Sequence, residues 1–334
     1  MFGLKETLTE MGKNVGTKIR VTKRAKPDAK SLAGQVILIT GANRGMGKIV
    51  AEDCAARGAR VVMGCRDLGA AAKAIDDIRT RNPSADIVAC QLDLSSFASV
   101  HGFAGAVMQN EQKIDVLVNN AAIVPAERTM TADGHEMMIQ VNYFSPVMLT
   151  LLLAPFMERT STDPRIISVG AVGHAYVKDI YWQDMDSVSA SFSPFMVYLH
   201  SKLALMLFVR ELAVRRSANR GARVYCVDPG ISPTELVTGT QPKTGLKAKL
   251  TSGIMGTVGR TVQQSADSIV KVIIMDKEGY DPRKYYFMDG MPKGLSKTAE
   301  DDAKAARLWD LTSQIIPVMK SLGPDEPAKE QQAQ

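Results

Sequence analysis

From residue 35 to about residue 228, short β-branched runs alternate with longer helical stretches, and this alternation constrains the fold more than any other feature of the chain. Strands that each return through a helix lie parallel, and a parallel sheet has to be covered on both faces. The strand candidates are 35–40, 60–64, 86–92, 114–119, 165–169 and 222–227, with a last one at 285–288. Right-handed crossovers then give an α/β fold, a doubly wound parallel seven-stranded sheet with helices on both faces. At 334 residues, 45% of them hydrophobic, the chain is long enough for one such domain with a well-buried core.

The ends read differently from the body. Residues 1–33 form a basic extension. Within 1–30, Lys5, Lys13, Lys18, Arg20, Lys23, Arg24, Lys26 and Lys30 stand against only Glu6, Glu10 and Asp28, so this segment carries most of the net charge of +6. The remaining body is nearly neutral, which argues against a nucleic-acid partner, because duplex binding needs a basic patch on the folded domain. Leu4, Leu8, Met11, Val15 and Ile19 recur at helical spacing among the basic residues, a pattern that suits either an amphipathic segment on an anionic membrane surface or a helix packed on its own protein.

The domain proper is expected over 34–298, with a Gly-, Thr- and Lys-rich lid at about 234–259. A C-terminal helix follows at 299–322, with Leu308, Trp309, Leu311, Ile315 and Ile316 as its apolar surface, and then a disordered polar tail at 323–334. The longest apolar stretch, 147–157, is far short of the roughly 20 residues of a spanning helix. No signal peptide is expected, since Lys5, Glu6 and Glu10 interrupt the start. Cys54, Cys65, Cys90 and Cys226 are scattered without CxxC spacing, so reduced thiols and an intracellular location are expected. His101, His135, His174 and His200 lie on separate elements and offer no metal site.

The first strand runs directly into Thr40-Gly41-Ala42-Asn43-Arg44-Gly45-Met46-Gly47, and Lys48 to Arg57 then reads as a helix ended by Gly58. Glycines there permit a tight strand-to-helix turn and let backbone N–H groups approach a pyrophosphate at the positive end of the helix. The spacing Thr-Gly-x-x-x-Gly-x-Gly is followed, in order, by Asp93-Leu94, Asn119-Asn120-Ala121, Asn142, Tyr198-Leu199-His200-Ser201-Lys202 and Pro229-Gly230. Together these residues resemble the short-chain dehydrogenase/reductase family over roughly 34–240, which implies a Rossmann fold and a nicotinamide cofactor. Within the family, Cys65-Arg66-Asp67, His200-Ser201-Lys202-Leu203-Ala204, Thr234-Glu235-Leu236, Lys284-Tyr285-Tyr286-Phe287 and Arg307-Leu308-Trp309 look like the retinol dehydrogenase group.

The resemblance implies a cofactor site made of Gly41, Asn43, Arg44, Gly45, Met46 and Gly47 in the turn, with Asp93 and Leu94 at the adenine. Asn119 and Ala121 would lie along the centre, Tyr198 and Lys202 at the ribose, and Pro229, Gly230 and Thr234 at the nicotinamide. Charge selects NADP(H). An NAD-specific site holds the ribose with a carboxylate after the second strand, but here Cys65 takes that place, and Arg66 and Arg44 could flank a 2′-phosphate. Asp67 is expected to turn away and cap the next helix.

The chemistry implied is transfer of hydride between NADP(H) and a lipophilic alcohol or carbonyl, such as retinol and retinal. Tyr198 would be the proton donor, with its pKa lowered from about 10 by Lys202 one helical turn away. Asn142 would tether a connecting water. The family's serine after the fifth strand is missing, because Gly170 and Ala171 occupy the place of the usual pair and Ser168 lies inside the strand. Losing such a donor costs about 10²–10³ in rate by analogy with oxyanion-hole losses. The expectation is therefore a slow enzyme, or one that uses His174 or a water instead; the alternative is a pseudoenzyme, a catalytically inactive NADP(H)-binding scaffold. Tyr143-Phe144-Ser145-Pro146 and Asp228 depart from the retinol dehydrogenase pattern, which leaves the substrate open. A homodimer is a further expectation, through the helices around 101–110 and 195–216, where relatives pair.

Overall fold

The computed structural model describes residues 30–186, 193–218, 221–230, 260–278, 280–282, 284, 286–316 and 318–321. The basic extension up to residue 29, the lid at 234–259 including Thr234, and the tail at 323–334 lie outside the described residues.

The elements run β1 Val36–Thr40, α1 Gly45–Ala56, β2 Arg60–Cys65, α2 Leu68–Arg81, β3 Ile87–Gln91, α3 Phe97–Asn110 and β4 Val116–Asn119. They continue with α4 Met137–Thr160, β5 Arg165–Val169, α5 Pro194–Ala218, β6 Arg223–Val227, α6 Val262–Ile273, β7 Tyr286–Met288, β8 Met291–Pro292, α7 Asp302–Ile315 and α8 Val318–Ser321. Among the described residues the sheet order is β3-β2-β1-β4-β5-β6-β7-β8, parallel throughout except for β8. All seven expected strands are present within a residue or two of their expected bounds.

β8 was not expected. It closes a two-residue hairpin through Asp289 and Gly290, both at positive φ (55° and 77°), the geometry that Asp-Gly favours between paired strands. The C-terminal helix is not continuous over 299–322. α7 ends at Ile315 because Ile316 is extended (φ −105°, ψ 99°), which is where the ring of a following proline, here Pro317, drives a residue.

Every residue of β1 is buried, and successive side chains go to opposite faces. Val36 and Leu38 join Phe103, Leu149, Leu203 and Phe208 under α3, α4 and α5. Ile37 and Ile39 join Val50, Ile75, Ile78, Ile269 and Ile273 under α1, α2 and α6. Each fully buried aliphatic side chain contributes about 1.5–3 kcal/mol, so the two apolar layers fix the strand register from both sides.

α4 is long and apolar enough to cross a membrane by length and composition, yet 89% of its apolar window is buried within the fold. It is the central helix under one face of the sheet, and a π-helical turn, Gln140–Phe144, interrupts it. Because β2 lies on one side of β1 and β4 on the other, the chain reverses its winding direction there. A crevice therefore opens beyond the C-terminal ends of β1 and β4, the place where ligands settle in open α/β sheets.

Candidate active site

The glycine turn forms one wall of this crevice. Gly41 (φ 67°) and Gly45 (φ 56°) adopt the left-handed conformation that glycine supplies without strain. At Gly47 the constraint is space, since a Cβ there would come within 2.6 Å of both Gly41 O and Asn120 Nδ2. α1 starts at Gly45, three residues earlier than the sequence suggested, and its N-cap Arg44 is extended and makes no side-chain cap bond. The helix thus presents its first turn, Gly45, Met46 and Gly47, without a side-chain cap, as a backbone anion cradle requires. Thr40 ties the two strand ends together, its Oγ1 accepting the N–H groups of Asn120 and Ala121 at 3.0 Å each.

The Cys65 sulfur accepts the backbone N–H groups of Ala42 and Asn43, and burial pushes the thiol up to about 11, so it stays neutral. Arg66 and Arg44 are exposed on the rim. Asp67 behaves as expected: its Oδ1 accepts the Ala70 N–H at 2.9 Å, which turns the carboxylate into the start of α2. Asp93 Oδ1 accepts both the N–H (2.9 Å) and the hydroxyl (2.6 Å) of Ser95. Leu94 packs into the core, and its carbonyl accepts the Ser145 hydroxyl at 2.6 Å. Asn119 donates to Thr150 Oγ1 at 2.8 Å, while its Oδ1 is buried without a partner.

These features fit a dinucleotide. Gly47 keeps open a cradle that a side chain would fill, and the Asn119 and Asn120 Oδ1 atoms at the strand ends are buried and unpaired.

At the other side of the crevice, α5 brings Tyr198 and Lys202 together, with the Lys202 ammonium 5.8 Å from the Tyr198 ring centroid. Lys202 is 3% exposed and donates to Val169 O at 2.8 Å. Burial draws its pKa down to about 8. Asn142 sits in the π turn of α4, where its Oδ1 accepts the Ile123 N–H (2.8 Å) and its Nδ2 donates to Ile123 O (3.0 Å) and Ser201 Oγ (3.3 Å). Pro229 and Gly230 (φ 76°) follow β6 after Asp228, and Gly230 lies under the Arg260 side chain.

Two expectations are corrected here. Tyr198 is not tuned downward: burial first, and the Asp228 carboxylate second, push its phenol above the ordinary value of 10.0. Lys202 points at Val169 O and does not offset either effect. Nor can His174 replace a serine hydroxyl as a donor. Its Nδ1 lies 2.8 Å from Ala171 O and so carries the proton, which leaves a lone pair on Nε2, and burial lowers its pKa and keeps the ring neutral. Of the two positions after β5, only one has room for a side-chain hydroxyl. A Cβ at Gly170 would lie 2.6 Å from Cys226 Sγ, while Ala171 already carries a Cβ in extended backbone.

The family model described as short chain dehydrogenase matches residues 35–179. Human retinol dehydrogenase 12 is 33% identical over 286 residues, covering 85% of this chain and 87% of its own length. The chain belongs to the short-chain dehydrogenase family. Among solved structures, a crystal structure of a Mycobacterium paratuberculosis protein is 31% identical, with a TM-score of 0.68, covering 87% of this chain and 96% of the other. The NADP active-site complex of Pseudomonas aeruginosa RhlG is 27% identical, with a TM-score of 0.60, covering 79% and 98%.

In this short-chain dehydrogenase one group of residues at the site escaped the sequence reading. Asp228, noted there only as a departure from the retinol dehydrogenase pattern, is buried at the end of β6. Its Oδ2 accepts the Tyr286 hydroxyl at 2.9 Å and lies 3.8 Å from Lys293 Nζ. The signal available in the sequence was an acidic residue directly after the apolar run Val224–Val227, a position that requires a partner.

Proposed function

We propose that the protein is an NADP(H)-dependent oxidoreductase interconverting a lipophilic alcohol and its aldehyde or ketone, of the retinol and retinal kind. The observation that carries this reading is the half-buried Tyr198 beside Lys202 on α5, across the crevice from the glycine turn. The turn residues Gly41, Asn43, Gly45, Met46 and Gly47 would hold the pyrophosphate, and Arg44 and Arg66 the 2′-phosphate. When bound, NADPH supplies the hydride. Tyr198 gives its hydroxyl proton to the carbonyl oxygen as negative charge develops there, and Lys202 holds the ribose and stabilises the phenolate left behind. Ile123, Val124, Tyr176, Phe195 and Met196 pack partly buried on the same apolar cluster as Tyr198, surroundings suited to an apolar substrate.

A second reading is favoured by one observation. Ala171 has no hydroxyl and His174 presents a lone pair, so no side chain at the end of β5 donates to a substrate oxygen. In that reading the chain binds NADP(H) as an inactive scaffold. Initial rates with NADPH and with NADH over a panel of aldehydes including retinal separate the two. Slow reduction that prefers NADPH supports the enzyme, and tight NADPH binding with no turnover supports the scaffold.

An intracellular location, peripheral membrane contact through residues 1–30 and a homodimer belong to the same proposal. A dimer through α5 has to accommodate α7, whose Trp309 stacks on Phe208 of α5 at 5.6 Å.

A further inference from the structure

α7 is anchored to both helices that carry the site. The Tyr143 hydroxyl, next to Asn142 in the π turn of α4, hydrogen-bonds with Thr312 Oγ1 at 2.7 Å, both residues being fully buried. Tyr143 is one of the departures from the retinol dehydrogenase pattern, and its hydroxyl serves this bond. On α5, Phe208 stacks under Trp309 with ring centroids 5.6 Å apart, and the Arg215 guanidinium lies 4.5 Å from the Trp309 centroid.

From these anchors, α7 and the turn before it hold the segment 178–182. Thr298 Oγ1 donates to Lys178 O at 2.9 Å, and Lys304 Nζ pairs with Asp179 Oδ1 at 3.0 Å. One helical turn on, the Arg307 guanidinium sits 4.3 Å from the centroid of the Trp182 ring. Asp179 Oδ1 also accepts the Trp182 Nε1–H at 3.2 Å, so the indole is fixed at its edge and on its face. α5 holds the same segment from the other end: Tyr181 donates its N–H to His200 Nε2 at 2.9 Å and stacks on that ring at 4.3 Å.

This segment leads from the turn after β5, where Ala171 stands, towards α5, where Tyr198 stands two residues before His200. Trp182 packs partly buried on the same apolar cluster as Tyr176, Phe195, Met196 and Tyr198. Its place in the chain and its packing make 178–182 a wall of the crevice on the side of the reacting carbonyl.

We propose that Lys304 and Arg307 of α7 are positioning residues for the substrate, holding Asp179 and Trp182 so that this wall is ordered before a lipophilic carbonyl compound arrives. The inference rests on the functional reading above, in which an apolar substrate binds beside Tyr198. A wall that has to be ordered on binding weakens substrate affinity, while cofactor binding and the chemical step stay as they were.

The test measures KM and kcat for retinal, and NADPH affinity, in the full chain and in four variants. Arg307→Met should raise KM about two- to fivefold, the worth of an exposed cation–π contact. Lys304→Met combined with Arg307→Met should raise it up to about tenfold. In both, kcat and NADPH affinity should match the parent. Arg307→Lys keeps a cation over the indole and should restore most of the loss. Asp302→Asn removes an exposed ion pair between α7 and Arg210 of α5 (2.8 Å) that does not reach the wall, and should leave KM unchanged. An unchanged KM in the double variant, a loss carried by kcat or NADPH affinity, or an equal rise in Asp302→Asn overturns the proposal.

A parent that binds retinal without reducing it refutes the catalytic reading alone, and the dissociation constant of retinal from the NADPH-loaded chain then takes the place of KM. A parent that neither binds nor reduces retinal refutes both. The order of the wall has its own signature, because the chain has two tryptophans and Trp309→Phe leaves Trp182 as the sole one. In that background acrylamide should quench Trp182 more readily once Arg307→Met is added, and equal quenching overturns the proposal.

Discussion

Restoring a hydroxyl after β5 should raise the rate at one position and damage the protein at the other, although the two are adjacent in sequence. Ala171 already carries a Cβ in extended backbone (φ −158°, ψ 139°), so Ala171→Ser adds a single oxygen without moving the chain. If the site stabilises a developing oxyanion, that donor contributes about 2.7–4 kcal/mol, or roughly 10²–10³ in turnover. Gly170→Ser has no such room. Its Cβ would lie 2.6 Å from Cys226 Sγ, and the sulfur is hemmed in because Cys226 is fully buried on β6 between β5 and β7. Overpacking of this kind costs about 1–3 kcal/mol. The assay is single-turnover reduction of retinal by NADPH together with thermal unfolding of both variants. A Gly170→Ser protein as stable as the parent, or an Ala171→Ser protein no faster, would refute the reasoning.

Arg66→Asp should weaken NADPH binding by roughly 10–100-fold, the worth of a charge-assisted hydrogen bond to phosphate, and NADH binding far less; a fluorescence titration with both nucleotides measures the difference. His200 is fully buried, its Nε2 accepts the Tyr181 N–H at 2.9 Å, and its pKa is drawn from the ordinary 6.5 down to about 4. The unfolded chain therefore takes up this proton first as pH falls. Stability from this group is complete above about 6.5 and is lost on going towards 4, in total on the order of 3 kcal/mol. Denaturant unfolding across that range should show the loss, and His200→Gln should reduce the slope.

How much of this was legible in the sequence depended on how local the chemistry is. The turn at Gly41, Gly45 and Gly47 and the capping by Asp67 could be read directly, because each is decided within a few residues by φ, by space or by one side-chain bond. The strands were legible because a parallel sheet buried on both faces produces unbroken apolar runs such as 36–39. The Asp228 network was not, because Tyr286 and Lys293 reach it only through the pairing of β6 with β7 and of β7 with β8. The direction of the Tyr198 shift was missed for a related reason. Spacing along a helix places Lys202 on the right face, but burial and the approach of a carboxylate from β6 are tertiary facts. His174 shows the same limit: the sequence supplies an imidazole, and only the bond to Ala171 O settles which nitrogen carries the proton.

The central claim, that Tyr198 serves as the proton donor for hydride transfer from NADPH, is tested most directly by following deuterium from labelled NADPH into retinal in a single turnover, with NADPH binding measured in parallel. The account predicts slow transfer in the parent chain, abolished by Tyr198→Phe while nucleotide binding persists. Transfer undiminished in Tyr198→Phe, or tight binding with no transfer in either the parent or Ala171→Ser, would contradict it.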